Sequence, residues 1–136
     1  MNFIKPIYDK LAGDATLTNL LSTYKTKPAI FSIDPVPSDA ELPYIIITGA
    51  VSQTPFDTKS TLGRQIWVDI RCYTKALGGV EDVDAIAERV RDLLHRVKLT
   101  GTGFTTITSI VDGYIVANDE YAYGRILTLK MILEEK

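Results

Sequence analysis

The chain is poor in the side chains on which most catalytic and metal sites depend. Its 136 residues include one cysteine, Cys72, and one histidine, His95. A single cysteine excludes an internal disulfide and any zinc site built from cysteines, and a single histidine excludes a histidine cluster. Cys72 lies in an alternating apolar pattern and is interpreted as a small core side chain. His95 follows a helical pattern among arginines and a lysine, which is typical of a solvated partner of the helix dipole.

Motifs that bind phosphate or carry a nucleophile are also missing. There is no GxGxxG, P-loop or GxSxG sequence, and the one GxG, at residues 101–103, follows a helix where a phosphate loop would precede one. Glu81, Asp82 and Asp84 could together hold a cation, but three carboxylates in a first helical turn more often compensate the helix dipole. We therefore expect no enzyme activity, no catalytic residue, no cofactor and no bound metal.

Long apolar runs and blocks of like charge are absent as well. The 15 basic and 17 acidic residues are mixed along the chain and leave a net charge of −2, so direct nucleic-acid recognition is not expected. No apolar run approaches the roughly 20 residues of a membrane span, and the N-terminus MNFIKPIYDK lacks the apolar core of a signal peptide. These absences predict a protein of a cytosol-like compartment with no membrane contact.

The clearest positive signal is a strand followed by a helix within residues 63–97. In GRQIWVDIRCYT every second residue is apolar, which predicts a half-buried strand with Trp67 and Tyr73 on the face opposite Cys72. After KALGG, the segment VEDVDAIAERVRDLLHRV carries apolar residues at spacings of three and four, which predicts one amphipathic helix. The apolar positions of this helix are Val83, Ile86, Ala87, Val90, Leu93, Leu94 and Val97.

The remaining sequence divides into regions of different character. Residues 1–24 have the apolar spacing of two short helices, with Asp14 placed to cap the second. Residues 25–43 contain four prolines and are interpreted as an ordered, extended arm with at most a short edge strand. Residues 44–136 carry the long helix and four strands, and the third of these strands is predicted to bend near Gly113.

This order of elements predicts an α+β fold. We expect a mostly antiparallel sheet of about four strands, one long helix packed across a face of it, and a short N-terminal helical pair. The length and the 46% hydrophobic content fit one domain over residues 1–136.

Apolar and aromatic side chains exceed what one small sheet covers, which indicates self-association. Trp67 and Tyr73 lie on the second face of the sheet, and the arm carries further apolar side chains that can cover a core or a neighbour. The loop at residues 53–62 is long for a hairpin, and its aromatic residue either packs onto its own domain or contacts a partner. The predicted interface residues are Phe31, Phe56, Arg64, Trp67, Arg71 and Tyr73.

Several segments, taken in order, resemble the tail completion family of tailed bacteriophages. They are YDKLAGDATLTNLL in the helical pair, the proline-rich arm leading to LPYIIITGA, the strand RQIWVDIRCYT and the helix DAIAERVRDLL. The similarity lies in the order of the segments and in their residue types, and it runs over nearly the whole chain. The family includes tail-to-head joining proteins and is related in fold to tail terminators.

The resemblance implies a structural role in a virion. Such proteins assemble into a ring, typically a hexamer, that caps the tail tube and offers a surface to the head connector or stopper protein. The implied partners are therefore copies of the chain, the tail tube protein and the connector, and the implied location is the head-proximal end of the tail after assembly in the host cytoplasm. The segments 53–62 and 118–124 are candidates for ordering on docking.

Two other classes of function stay open at this point. A different virion component of similar fold, such as a tail tube or head-tail connector subunit, would differ mainly in its partner. A small-molecule-binding regulatory or enzymatic α+β domain would need a pocket with converging polar groups. The only clustered candidates for such a pocket are Asp69, Arg71 and Tyr73 on one strand face, and these could equally form cross-strand contacts.

Overall fold

The computed structural model describes residues 3–32, 37–55, 57, 62–76, 80–118 and 120–135, with the backbone alone at 49–53. Phe56 and most of the loop predicted to dock a partner lie outside the described residues. Three helices and eight strands follow one another within these described residues: α1 Ile4–Ala12, α2 Ala15–Thr18, β1 Thr23–Tyr24, β2 Lys27–Pro28, β3 Ile30–Phe31, β4 Tyr44–Pro55, β5 Gly63–Lys75, α3 Glu81–Leu94, β6 Thr100–Gly101, β7 Phe104–Val116 and β8 Ala122–Glu135.

The sheet corrects the predicted fold class. Six strands, not about four, form one mixed sheet in the order β3-β4-β5-β8-β7-β6, and β3 runs parallel to β4. The prediction of a mostly antiparallel four-stranded sheet is therefore wrong. The added strands β3 and β6 have 2 residues each, and a segment that short has no alternation by which a sequence could reveal it. A separate two-stranded sheet, β1-β2, lies in the arm.

The central strand β5 has the two-sided pattern that its sequence predicts. Ile66, Val68, Ile70 and Cys72 are each 0% exposed, while the residues between them are half-buried. The buried set belongs to one hydrophobic cluster with the apolar residues of α1, α2 and α3. The helices therefore cover one face of the sheet, and we call the opposite face the outer face.

Helix α3 is placed on the sheet by its apolar stripe. Val83, Ile86, Ala87, Val90 and Leu94 are buried in the shared cluster, as the spacing of the sequence predicts. Leu93 and Val97, the two other predicted members, are partly buried and pack against that cluster.

Strand β7 is irregular, and this shapes the end of its hairpin with β8. Its pairing with β8 shifts register between Thr106 and Thr108 and again between Asp112 and Ile115. The second shift contains Gly113, so the predicted bend is confirmed. A β-bulge increases local twist and re-aims the side chains beyond it, and residues 112–116 are all exposed.

Candidate assembly interface

The outer face of the sheet is built from the alternate residues of the two long central strands. All of these side chains are half-buried. Asp69 accepts a hydrogen bond from the Thr128 hydroxyl at 3.0 Å, and its backbone N–H donates to Thr48 Oγ1 at 3.2 Å. The main outer-face residues are Trp67, Asp69, Arg71 and Tyr73 in β5 and Ile126, Thr128, Lys130 and Ile132 in β8.

A row of aromatic rings runs from the arm onto the outer face. Tyr24 and Phe31 are 5.2 Å apart between ring centroids, Phe31 and Tyr44 5.9 Å, and Tyr44 and Tyr73 5.7 Å, all in edge-to-face geometry. Aromatic pairs of this kind contribute beyond their buried area. Phe31 is only 8% exposed, so its ring serves mainly to fix the arm to the sheet.

The other predicted interface residues are spread along β5. The ammonium of Lys130 lies 5.8 Å from the centre of the Trp67 ring, and Arg64 forms an ion pair of 2.5 Å with Glu135. Arg71 lies between Ile46 and Ile126 on the neighbouring strands. At roughly 3.3 Å per strand residue, Arg64 and Tyr73 are about 30 Å apart. The structure thus brings Phe31 and Tyr73 together through Tyr44 and separates both from Arg64.

The most exposed large apolar side chains of the sheet lie elsewhere, on β7 and the turn that follows. Residues 112–118 and 120–123 form what we call the hairpin end. The exposed fractions here are 38% for Tyr114, 67% for Ile115, 57% for Val116 and 77% for Tyr121, with 61% for Ile107 and 43% for Ile110 earlier in β7. Sequence reasoning included Tyr121 within the docking candidate 118–124 but missed the residues of β7. The available signal was the apolar segment YIVA directly before the turn, where polar residues are usual.

A buried arginine anchors the hairpin end to α3. Arg125 is 4% exposed and forms an ion pair of 2.8 Å with Asp84 in the first turn of α3. Its guanidinium also donates to Asn118 Oδ1 at 2.9 Å and to the Gly124 carbonyl at 2.8 Å, and it lies 5.6 Å from the centre of the Tyr114 ring. The base of the hairpin end is therefore held by several directed contacts while its apolar side chains face outward.

The outer edge of β7 is closed over part of its length by the segment that follows α3. The Thr106 N–H donates to the Leu99 carbonyl at 3.0 Å, and the Arg96 N–H donates to the Ser109 carbonyl at 2.8 Å. The Val111 N–H donates to Nδ1 of His95 at 3.1 Å. His95 was predicted to be a solvated dipole partner, but its ring caps the edge of the sheet.

Comparison with known proteins identifies the relatives of this arrangement. A family model described as tail completion protein gp17 matches residues 5–129. The chain belongs to this family. The resemblance predicted from the sequence is thus confirmed, and the chain is a structural protein of a phage-type tail, located in the virion. No curated protein matches the chain.

A solved structure supports the fold of this tail completion family member. It is described as the virion of a native gene transfer agent particle, and the two chains superpose with a TM-score of 0.75 at 20% identity. The similarity covers 94% of this chain and 91% of the other. At this level of identity, the comparison shows a shared fold.

The side chains singled out for chemistry take structural roles in this family member. Burial raises the pKa of the Cys72 thiol to about 12, which keeps it protonated and unreactive. Of the three carboxylates at the start of α3, Asp84 binds Arg125. The described residues contain no group of three or more potential ligands arranged to hold a metal ion. Within the same residues, no helix is long and apolar enough to cross a membrane.

Proposed function

We propose that this protein completes a phage-type tail as a homo-oligomeric ring, a hexamer, that caps the tail tube and joins it to the head connector. It acts by binding other proteins, and it has no catalytic role. Family membership supports the tail as its place of action.

The observation that carries the proposal is the exposed apolar surface of β7 and the hairpin end. Ile115 and Tyr121 are 67% and 77% exposed, yet the base beneath them is tied to α3 through Arg125. Large apolar side chains exposed together on one strand and the turn that follows it favour a role in binding other proteins. A rigid base that presents apolar side chains loses little conformational freedom on binding, which favours assembly.

The charge distribution agrees with protein partners. The net charge of −2 is small, and the charged groups of the outer face are engaged locally, since Asp69 binds Thr128 and Lys130 covers Trp67. A surface of this kind lacks the concentrated positive charge that dominates nucleic-acid binding. Capping and joining need contacts between protein subunits only.

Reactive side chains are held in structural positions, which supports a non-catalytic role. Cys72 is 0% exposed, and Nδ1 of His95 accepts a backbone hydrogen bond. On the outer face, Asp69 accepts a hydrogen bond from Thr128 and Tyr73 packs against Tyr44, each across to a neighbouring strand.

Oligomeric mass and electron microscopy test the ring. Light scattering over a range of concentrations should give six times the chain mass of 15.1 kDa, and negative-stain images should show closed rings. Long hollow filaments would instead identify a tube subunit, and a monomer at every concentration would overturn the ring.

A joining assay tests the second half of the proposal. Tails assembled without this protein should fail to attach to filled heads, and attachment should return when purified protein is added. Tails that attach equally well without it would show that the protein has another position in the virion.

A further inference from the structure

The six-stranded sheet has two edges that the described residues leave open over part of their length. One lies on β7, and the other lies on β4 at the opposite side of the sheet. An open edge presents unpaired N–H and C=O groups, which pair readily with a strand of another chain. The segments that cover each edge, and the residues at which they end, determine which strand of a partner can pair there.

The edge of β7 is open at the hairpin end. Its outer hydrogen bonds to the segment after α3 end at Val111, which donates to His95. Farther along, the Ala117 N–H donates inward to the Gly124 carbonyl at 3.0 Å. Because backbone groups alternate in direction along an antiparallel strand, the N–H and C=O of Val116 point away from β8. No described strand pairs with residues 112–116 on that side.

Within the described part of the chain, the edge of β4 is covered only near its start. Strand β3 pairs with Ile45 and Ile46, and no described strand pairs with the later residues of β4 on that side. Residues 44–54 contain no charged side chain. Natural edges that must stay unpaired usually carry lysine or another charge, a bulge or a short strand. Strand β4 shifts register twice between Ile47 and Ser52, which protects that stretch of its edge. Residues 52–54 pair with β5 without a shift and carry no charge, so this stretch is expected to be covered in the working assembly.

The directions of the two strands fit each other. Strands β4 and β8 run one way, and β5 and β7 run the other, because each neighbouring pair is antiparallel. A rotation about an axis along the strands preserves these directions. In a neighbouring copy related by such a rotation, β4 therefore runs antiparallel to β7 of the first copy. When this contact repeats around a closed ring, it covers both open edges of every copy.

We infer that the open edge of β7 at the hairpin end pairs with the later half of β4 of a second copy, so that the sheets of adjacent copies join into one continuous sheet around the assembly. This inference rests on the ring proposed above and names the contact that builds it. The occupant of each edge is a second copy of this chain, since one chain carries both complementary edges.

The register of the contact between β7 and β4 follows from the part of β4 that β3 already covers. Within one chain, Ile115 pairs with Ile126, which pairs with Arg71, which in turn pairs with Ile46. Ile115 and Ile46 therefore lie at the same height in the sheet, but Phe31 of β3 already pairs with Ile46 on its open side. Ile115 must therefore meet a later part of β4. Strands that tilt about 35–45° to the axis of a closed sheet produce a stagger of this kind.

Cysteine pairs test the joint directly. Thr54 pairs with Gln65 in β5, which places it on the face of the sheet to which Ile115 belongs, and position 52 lies two residues earlier on the same strand. We expect Ile115→Cys combined with Ser52→Cys or Thr54→Cys to give a ladder of disulfide-linked oligomers under mild oxidation. The single variants are the matched controls and should stay monomeric on a denaturing gel. Buried Cys72 does not compete.

A disulfide within one chain cannot produce a false result. Strands β4 and β7 are separated by β5 and β8, so the cysteines lie at least about 14 Å apart at the usual strand spacing. That separation exceeds the Cα–Cα distance that a disulfide spans.

A proline variant tests the backbone contact without new cysteines. Val116→Pro removes the backbone N–H that points outward. Val116→Ala also shortens the side chain but keeps this N–H. We expect the concentration for half-assembly to rise at least about tenfold more for the proline variant, since several hydrogen-bonded contacts close one ring. Equal thermal melting of the two monomers confirms that both fold.

The outcomes separate this inference from the proposed function. Rings that form without cross-links in either double variant and tolerate Val116→Pro would overturn the edge pairing and leave the ring standing. Disulfide-linked dimers of Ile115→Cys alone would show that β7 pairs with itself. A wild-type protein that never assembles would overturn both the ring and the joint.

Discussion

Arg89 of α3 binds the carboxylate of Asp14 with two hydrogen bonds, of 2.9 Å from Nε and 2.7 Å from Nη2. Asp14 is also the N-cap of α2, since its side chain accepts the Leu17 N–H at 2.9 Å. One carboxylate therefore both starts a helix and attaches it to the long helix of the core. The Arg89 hydrogen bonds, followed by that from Leu17, lower the pKa of Asp14 from 3.8 to about 2.

This pair predicts a specific acid sensitivity. Because the folded state lowers the pKa of Asp14, its contribution to stability is present above pH 3.8 and is lost as the pH falls toward about 2. Asp14→Asn keeps a capping side chain but removes the charge. We expect the difference in unfolding free energy between wild type and variant to be constant near neutral pH and to shrink over that acidic window.

Denaturant titrations at several pH values measure this difference. Asp9→Asn is the matched control, because Asp9 forms only an exposed ion pair with Lys5, and such pairs contribute little. An Asp14→Asn difference that stays constant down to pH 2 would contradict the role assigned to Arg89.

The packing of α3 gives a second prediction. Leu94 is 0% exposed, and Leu94→Ala should lower the unfolding free energy by roughly 2–5 kcal/mol because it leaves a cavity in a close-packed core. Glu88→Ala, at an exposed position of the same helix, should change it by less than about 0.5 kcal/mol. We propose that residues 1–136 form one domain, so a single transition is expected by both circular dichroism and tryptophan fluorescence.

The β1-β2 hairpin carries local strain that a substitution should relieve. Lys25 and Thr26 have φ values of 47° and 70°, the combination of a type I′ turn, which glycine and asparagine prefer. A β-branched threonine is disfavoured there. Thr26→Gly should therefore raise the unfolding free energy by about 1 kcal/mol. Thr23→Gly, in the adjoining strand, should lower it, and a loss of stability in both variants would argue against a strained turn.

Assembly should depend more on the hairpin end than on an exposed apolar residue elsewhere. Ile115→Ser is expected to leave monomer stability within about 0.5 kcal/mol of wild type and to raise the half-assembly concentration at least about tenfold. Leu20→Ser is the control, because Leu20 is 39% exposed and belongs neither to β7 nor to the hairpin end. Sedimentation velocity measures the half-assembly concentration of both variants. An equal rise in the two would contradict a special role of Ile115 in assembly.

We propose Trp67 as a further interface residue, and it gives a different expectation. Trp67 is half-buried on the outer face, with Lys130 over its ring, so Trp67→Ala should lower both monomer stability and assembly. A variant that unfolds more easily but assembles at the wild-type concentration, measured under conditions where it stays folded, would restrict Trp67 to an internal role.

Several features follow from local sequence because their physical cause is local. Strand β5 and helix α3 were predictable, since an alternation of period two and an apolar stripe of period 3.6 each require only one buried face. The cap at Asp14 was likewise predictable from a short side chain placed before a helix. The bulge near Gly113 was visible because the phase of the alternation changes there.

The candidate interface could be predicted less well. The sequence shows that Trp67 and Tyr73 face away from the helix layer, but it does not show that same-face neighbours such as Lys130 and Tyr44 half-cover them. The exposure of Ile115 and Tyr121 depends on which segments pack around the end of the β7–β8 hairpin, and that is a property of the tertiary structure. Arg125 was noticeable only as a charge on an apolar face, until Asp84 and Asn118 supplied its partners.

The sequence by itself determined the long strands, the amphipathic helix, the position of the bulge and the family. Each of these follows from short-range periodicity or from the order of the segments. Only the tertiary structure decided that the sheet has six strands, that β3 runs parallel to β4, and that His95 closes part of the edge of β7. The strand pairings depend on which distant segments exchange backbone hydrogen bonds, and backbone groups are the same in every residue except proline. The role of His95 depends on the tertiary contact that brings its ring to the Val111 N–H. Side-chain patterns therefore cannot specify them.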